Sequence, residues 1–322
     1  MANVPERPLR PLRLGTRRSP LAMVQAEEAR ARLCAAHGWD EAAVEIVPVT
    51  ASGDKMLDRP LAEIGGKALW TKELDDWLIA GEIDFAVHSL KDVETIRPDT
   101  ITLAAILPRE DVRDVLVGAT SIADLLPGAR VGTSAPRRAA QLLNARPDCR
   151  VVSFRGNVAT RLAKLAAGEA DATLLAAAGL NRLGQSHIGV ALDGDVWLPA
   201  PAQGAIGIEC RSVLRQAQDD RDFQLHTLLA AIDHQPSRDA VMAERALLAA
   251  LGGNCHSPIA VLTRADGGDL VMRAALFSPD GSFRVDGEAR FAAGDLAGPA
   301  CLAADLLRRA APEISEHFTG CA

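Results

Sequence analysis

Two stretches of the chain carry the same order of elements, and this repeat limits the folds open to it. Leu14-Gly15-Thr16 ends an apolar run and leads into a helical pattern, and Val131-Gly132-Thr133 does the same. Further on, Gly81-Glu82-Ile83-Asp84 turns into an apolar strand, and Gly168-Glu169-Ala170-Asp171 turns into another. Turns like these recur in any α/β protein, and the second copy is the shorter. Their shared order still favours two related α/β domains. Alternating strands and helices imply mostly parallel sheets, with ligand groups at the carboxyl ends of the strands.

In the first copy a strand over 12–16 runs into a helix over about 21–33, with Ser19 as N-cap and Pro20 at the first helical position. A strand over 44–50, a helix over 70–80 and a strand ending at His88-Ser89-Leu90-Lys91-Asp92 follow. Residues 108–114 read as a charged connector. The pattern then restarts, with Pro136 opening a helix. The proline-rich segment 198–204 leads to a strand over 205–210 that returns to the first domain. A helix over 239–250, three strand runs and a final helix form a third unit. The expected boundaries are 1–108 with 203–222, then 109–202, then 223–322.

The formal net charge is −7, so no global positive field argues for nucleic acid or an anionic membrane. The chain has no tyrosine, which leaves few platforms for stacking bases. It shows no G-x-x-x-x-G-K-[ST] and no G-x-G-x-x-G after a strand. None of the six cysteines forms a C-x-x-C, and no metal-ligand or Ser-His-Asp spacing stands out. The N-terminal residues lack an apolar signal stretch, and no apolar run is long enough to span a membrane. The expectation is a cytoplasmic protein.

Against this acidic background the segment 130–164 stands apart. It holds Arg130, Arg137, Arg138, Arg146, Arg150, Arg155, Arg161 and Lys164 against a single acid, Asp148. Arg146, Arg150 and Lys164 suit a solvated helix face. Arg137 and Arg138 sit at a helix start, where unpaired N–H groups already favour anions, and Arg155 follows a strand directly. Arg17 and Arg18 hold the equivalent place in the first copy. Guanidinium forks bind carboxylate or phosphate in bidentate fashion, so a small ligand with several negative groups is indicated. Asp92 and Lys91 at a strand end are either a surface pair or, in a cleft, an acid/base or cation-stabilising group beside an anion site. Cys255 lies in a loop, Leu251-Gly252-Gly253-Asn254-Cys255-His256-Ser257-Pro258, between a helix and a strand. It is either a small buried residue or a reactive thiol.

These residues, taken together, resemble the hydroxymethylbilane synthase (porphobilinogen deaminase) family over nearly the whole length. The resemblance rests on Gly15-Thr16-Arg17-Arg18-Ser19-Pro20, Gly65-Gly66-Lys67-Ala68-Leu69-Trp70 and Ala86-Val87-His88-Ser89-Leu90-Lys91-Asp92. It continues through Val131-Gly132-Thr133-Ser134, Arg137-Arg138, Arg155-Gly156-Asn157, Ala178-Gly179-Leu180-Asn181-Arg182, Gln203-Gly204-Ala205 and the Cys255 loop. It implies an α/β fold of two related doubly wound domains around a cleft, similar to type II periplasmic binding proteins, plus a smaller C-terminal α+β domain. It also implies a monomeric transferase that deaminates four porphobilinogen units and joins them head to tail into hydroxymethylbilane.

By the same resemblance the chain grows on a dipyrromethane cofactor tethered by a thioether to Cys255, with Lys91, Asp92, Ser134, Arg137, Arg138, Arg155 and Gly156 around it. Arg17, Ser19, Arg155, Arg161, Arg182 and Gln203 would bind substrate, and Asp92 would stabilise the cation left when ammonia departs. Three departures from the family pattern stand out: Gly252 and Asn254 in the cysteine loop, Trp70, and Pro136 before the arginine pair. The alternatives are a non-catalytic anion-binding protein on the same fold and a cysteine-dependent hydrolase using Cys255 and His256.

Overall fold

The structure is a computed structural model describing residues 8–50, 71–212, 220–254 and 256–318. The expectations for Cys255 and for the stretch 65–70 with Lys67 and Trp70 therefore fall outside the described residues. The chain divides into two compact units, with 8–50, 71–109, 205–212 and 220–238 in the first and the other described residues in the second.

The first unit begins with β1 (Leu12–Arg17), α1 (Pro20–His37) and β2 (Val44–Val49), and continues with α2 (Lys72–Ala80), β3 (Phe85–Ser89) and β4 (Ile101–Ile106). Ser19 caps α1 by accepting from the Ala22 amide, and Pro20 opens the helix at no hydrogen-bond cost. Gly38 and Gly81 close α1 and α2 in the left-handed conformation that few other residues tolerate.

The chain then builds a second sheet from β5 (Asp114–Val117), β6 (Arg130–Gly132), β7 (Arg150–Val152), β8 (Ala172–Ala176) and β9 (Val190–Ala191). Its helices are α3 (Pro136–Ala145), α4 (Val158–Ala166) and α5 (Ala177–Arg182). It returns to the first unit with β10 (Ile206–Arg211) and α6 (Asp220–Ala230). α6 carries Leu225 and Leu229 into that unit's core, so the first unit extends past 222 to 238. The sequence reading took this stretch as the start of the third domain because its apolar positions follow a strongly polar run.

Strand order supports the duplication. The first sheet runs β2-β1-β3-β10-β4 and the second β7-β6-β8-β5-β9. In each, the first three strands are parallel and the fourth runs antiparallel to both its neighbours. The fourth strand is always the one that crosses from the other half of the chain: β10 returning, β5 entering. Both sheets are doubly wound. In the first, α1 and α6 cover one face with Leu33 and Leu229, and α2 covers the other with Leu74 and Leu78. Each such fully buried leucine contributes about 2 kcal/mol of transfer free energy.

The repeated Gly-Thr has a packing cause. A Cβ on Gly15 would lie 2.3 Å from Ile83 Cδ1, and one on Gly132 would lie 2.4 Å from the Phe154 ring. Both glycines let a side chain cross directly over the strand.

The remainder is α7 (Gln235–Ala250), an antiparallel sheet of β11 (Ile259–Asp266), β12 (Asp269–Phe277) and β13 (Arg284–Ala292), then α8 (Ala297–Arg309) and α9 (Pro312–Ser315). Its core joins Leu247, Val261, Met272 and Leu306, and a further cluster of Ala140, Leu198, Ala260, Leu262, Ala275 and Phe277 packs it against α3. Among the described residues no helix is long and apolar enough to cross a membrane.

Candidate active site

In the first unit β1 and β3 lie side by side and parallel, so their carboxyl ends deliver side chains to one place. Arg17 ends β1, Ser19 caps the next helix, and Asp92 closes the single turn Leu90–Asp92 that follows β3. All three line one recess, together with Gln25, His88 and Ser89. Gln25 and Ser89 bond reciprocally at 2.8 and 3.1 Å, which fixes the wall between α1 and β3. The Leu90 amide donates to Ala205 O at 3.1 Å and the Val93 amide to Leu90 O at 3.2 Å, so the turn carrying Asp92 is held on both sides. Lys91 lies on the same turn, half-buried, and is not among the lining residues.

Behind this recess lies a buried ionic cluster that the sequence reading did not anticipate. Arg97 bonds Asp75 through Nη2–Oδ1 at 2.5 Å and Nη1–Oδ2 at 3.1 Å, Glu209 through Nε–Oε1 at 2.9 Å and Nη2–Oε2 at 2.8 Å, and Glu94 through Nη1–Oε2 at 2.8 Å. Thr71, at the start of α2, donates to both oxygens of Glu94. His88 Nε2 lies 3.4 Å from Glu209 Oε2. Burial, with Arg97 second, pushes the His88 imidazole down to about 4.

The second unit gathers the arginines. Arg137 and Arg138 occupy the first turn of α3, and both are buried. They converge on Asp114, the fully buried first residue of β5. Arg137 Nη1 lies 2.6 Å from Oδ2 and Arg138 Nη2 lies 2.7 Å from Oδ1; Trp197 Nε1 and Gln203 Nε2 complete the set at 2.8 and 2.9 Å. Burial alone would raise the Asp114 carboxyl, but the two guanidinium groups outweigh it and hold it well below the usual carboxylate range. The sequence reading counted Asp114 in the charged connector. The signal it passed over is an acid at the head of an apolar run, Asp114-Val115-Leu116-Val117.

Ser134 donates to Phe154 O at 2.7 Å. Arg155 follows, buried, and Gly156 takes a φ of 108° with Thr160 packed where a Cβ would stand. Arg161 Nε donates back to Gly156 O at 2.9 Å, and Arg182 Nη2 to Gly204 O at 3.1 Å. Of the expected site residues, Arg17, Ser19 and Asp92 are thus brought together in the first unit. Ser134, Arg137, Arg138, Arg155, Gly156 and Arg161 cluster in the second, where Gln203 joins the arginine pair through Asp114.

Around position 255 the loop is tied by its neighbours. The Asn254 amide donates to Ser257 Oγ at 3.0 Å, and Asn254 Oδ1 accepts from the His256 amide at 2.8 Å. Asn254, one of the departures from the family pattern, thereby closes the loop on itself. Among the described cysteines, Cys34, Cys149 and Cys210 are buried with their thiols pushed up, Cys210 to about 12, and Cys301 is exposed.

Residues 12–219 match the family model for the porphobilinogen deaminase dipyromethane cofactor binding domain, and residues 239–307 match the porphobilinogen deaminase C-terminal domain. The porphobilinogen deaminase of Sphingopyxis alaskensis is 56% identical over 318 residues, covering 97% of this chain and 98% of that protein. That of Paracoccus denitrificans is 49% identical over 315 residues, again covering 97% and 98%. Among solved structures, the periplasmic VFT2 domain of BvgS from Bordetella pertussis covers 68% of this chain and 86% of its own at 19% identity and a TM-score of 0.39. The matches to the two family models and the near full-length identities establish that this chain belongs to the porphobilinogen deaminase family.

Proposed function

We propose that this chain is the transferase that deaminates porphobilinogen and joins four units head to tail into hydroxymethylbilane. The observation that carries the reading is the meeting of Arg17, Ser19 and Asp92 in one recess at the carboxyl ends of β1 and β3. Porphobilinogen bears an acetate and a propionate. Arg17 and Ser19 supply a guanidinium fork and a hydroxyl for such groups. Asp92 is half-buried in the lining of the recess, where a fixed carboxylate stabilises the cation that develops on the substrate as ammonia leaves. It also accepts from a pyrrole N–H and so orients the ring.

The second unit suits a permanently bound group with several carboxylates. Arg137 Nε and Arg138 Nε are buried donors with no acceptor among the described residues, although Asp114 already occupies other nitrogens of both. These unused donors fit the dipyrromethane cofactor that the family requires. When bound, that group supplies the primer on which the product grows, through a thioether to Cys255. Lys91, Ser134, Arg137, Arg138, Arg155 and Gly156 would hold it, and Arg155, Arg161, Arg182 and Gln203 would take further substrate. Asp114 holds the arginine pair in place through Nη1 of Arg137 and Nη2 of Arg138. The cluster of Leu247, Val261, Met272 and Leu306 supports counting residues from 239 on as a third domain, packed on the second sheet's half through Ala140 and Phe277. A cytoplasmic monomer that binds no nucleic acid completes the proposal, supported by the net charge of −7.

The test is consumption of porphobilinogen with release of ammonia and a linear tetrapyrrole. Asp92→Ala is expected to fold and to lose more than about 3 kcal/mol of transition-state stabilisation, a rate loss of a hundredfold or more. Turnover at the wild-type rate in that variant would refute the role given to Asp92. A wild-type protein that binds porphobilinogen without releasing ammonia would favour the non-catalytic alternative.

A further inference from the structure

The ionic cluster behind the recess meets it at two lining residues, Thr71, which donates to Glu94, and His88, which faces Glu209. His88 lines the recess with Asp92 and Arg17 on one side, and its Nε2 faces Glu209 on the other. The strand register sets this contact. β3 and β10 are antiparallel, with His88 opposite Gly207 and Ala86 opposite Glu209, so His88 and Glu209 are diagonal neighbours on one face of the sheet. Glu209 is almost wholly buried, at 1% exposure. A buried carboxylate beside an imidazole ordinarily draws a proton onto the ring. Here Arg97 meets Glu209 first, with two hydrogen bonds to its two oxygens.

We propose that Arg97 is a positioning residue for the reaction: it takes up the charge of Glu209 and so keeps His88 a neutral wall of the Asp92 recess. This rests on the role given to Asp92 above. Among the described residues the charged groups facing His88 are Glu209 from β10, Asp75 from α2, Glu94 and Arg97 from the segment after Asp92, and Arg17 from the end of β1, with Asp92 in the same recess. Carboxylates outnumber cations in this set. Burial first, then the proximity of Arg97, with a smaller part from Arg17, keep the ring uncharged, and loss of Arg97 leaves Arg17 as the one cation among them. The imidazole would then take a proton to pair with Glu209. A cationic wall would oppose the positive charge that develops on the substrate and would compete for Asp92, while leaving carboxylate binding intact or stronger. The effect is therefore on kcat and not on KM.

The test follows the His88 ring by NMR across pH in the loaded, full-length enzyme, with His88→Gln to assign the resonance, alongside kcat and KM profiles. In the wild type the ring stays neutral from about pH 8 down to about pH 5. In Arg97→Met it titrates upward by at least one unit, into the neutral range, and kcat falls about tenfold below that new value with KM changed less than about threefold. Arg97→Lys, which keeps a cation at the cluster, retains a low titration point, and Arg97→Met combined with Glu209→Gln returns the ring toward neutral. An unshifted ring and an unchanged kcat profile in Arg97→Met would overturn the proposal. So would a wild-type His88 found protonated near pH 7, a measurement that needs no variant to fold. The NMR readout does not depend on turnover. Wild-type protein inert toward porphobilinogen would refute the functional reading alone, and normal turnover with an unshifted ring in Arg97→Met would refute this inference alone.

Discussion

Arg137 Nη1 lies 2.6 Å from Asp114 Oδ2, a contact in which neither side chain is more than 5% exposed. The pair joins the first turn of α3 to the first residue of β5, the strand that enters the second sheet from the other half of the chain. The start of α3 and the head of β5 are thereby tied together from within by an acid.

Asp114→Asn should destabilise the protein strongly. It removes the one anion beside two buried guanidinium groups, and breaking a buried pair in this way costs about 3–5 kcal/mol. Urea unfolding would show a midpoint well below wild type. A midpoint within error of wild type would mean that the arginines find their partners elsewhere.

Stability should fall with acid in two separable steps. His88 has a folded value of about 4 against an ordinary 6.5, so between these values the unfolded chain binds the proton first and folding stability is lost as pH drops. Above about 6.5 neither state is protonated there, and below about 4 both are, so the loss saturates at about 3 kcal/mol. Asp114 shifts in the same sense, at lower pH. Its depressed carboxyl stabilises the fold above the unfolded value of about 3.9, and that contribution is lost only below it. Urea midpoints from pH 8 to pH 3, compared with His88→Gln, separate the two: the variant should lose the upper step and keep the lower.

The two glycines of the repeated Gly-Thr should respond differently to alanine. At Gly132 the new methyl meets Phe154 ring atoms at 2.4–2.7 Å, and a ring cannot yield by rotating one bond. At Gly15 the closest atom is the tip of Ile83. Gly132→Ala should therefore cost about 1–3 kcal/mol and Gly15→Ala less, read as thermal midpoints. Equal losses would mean that the Phe154 side of the second sheet relaxes as freely as Ile83.

Much of this fold was legible in the sequence because its signals are local. Ser19-Pro20 announces a helix start, and the strand over 205–210 was expected to return to the first domain, as β10 does. The residues that assemble each site behind its visible motif were not legible. Asp114 sits among four other charged residues in 109–114, and nothing local separates it from its solvated neighbours. Arg97, Asp75 and Glu209 meet only after α2, the post-β3 segment and β10 are placed side by side, and no single stretch encodes that meeting. Helix α6 escaped because it emerges from a polar run and shows its apolar face only through Leu225 and Leu229.

Thiol reactivity should follow burial. In the native protein a small alkylating reagent is expected to label Cys301 and to leave Cys34, Cys149 and Cys210 untouched, since burial keeps those three protonated and covered. Peptide mass mapping reads this directly, and fast native labelling of Cys210 would contradict the closed core beneath β10.

The central claim is that this chain works with a primer fixed to Cys255, and intact mass tests it most directly. The account predicts that purified wild-type protein carries a covalent excess of two pyrrole units and that Cys255→Ser carries none. Wild-type protein that turns over porphobilinogen at the bare polypeptide mass would contradict it.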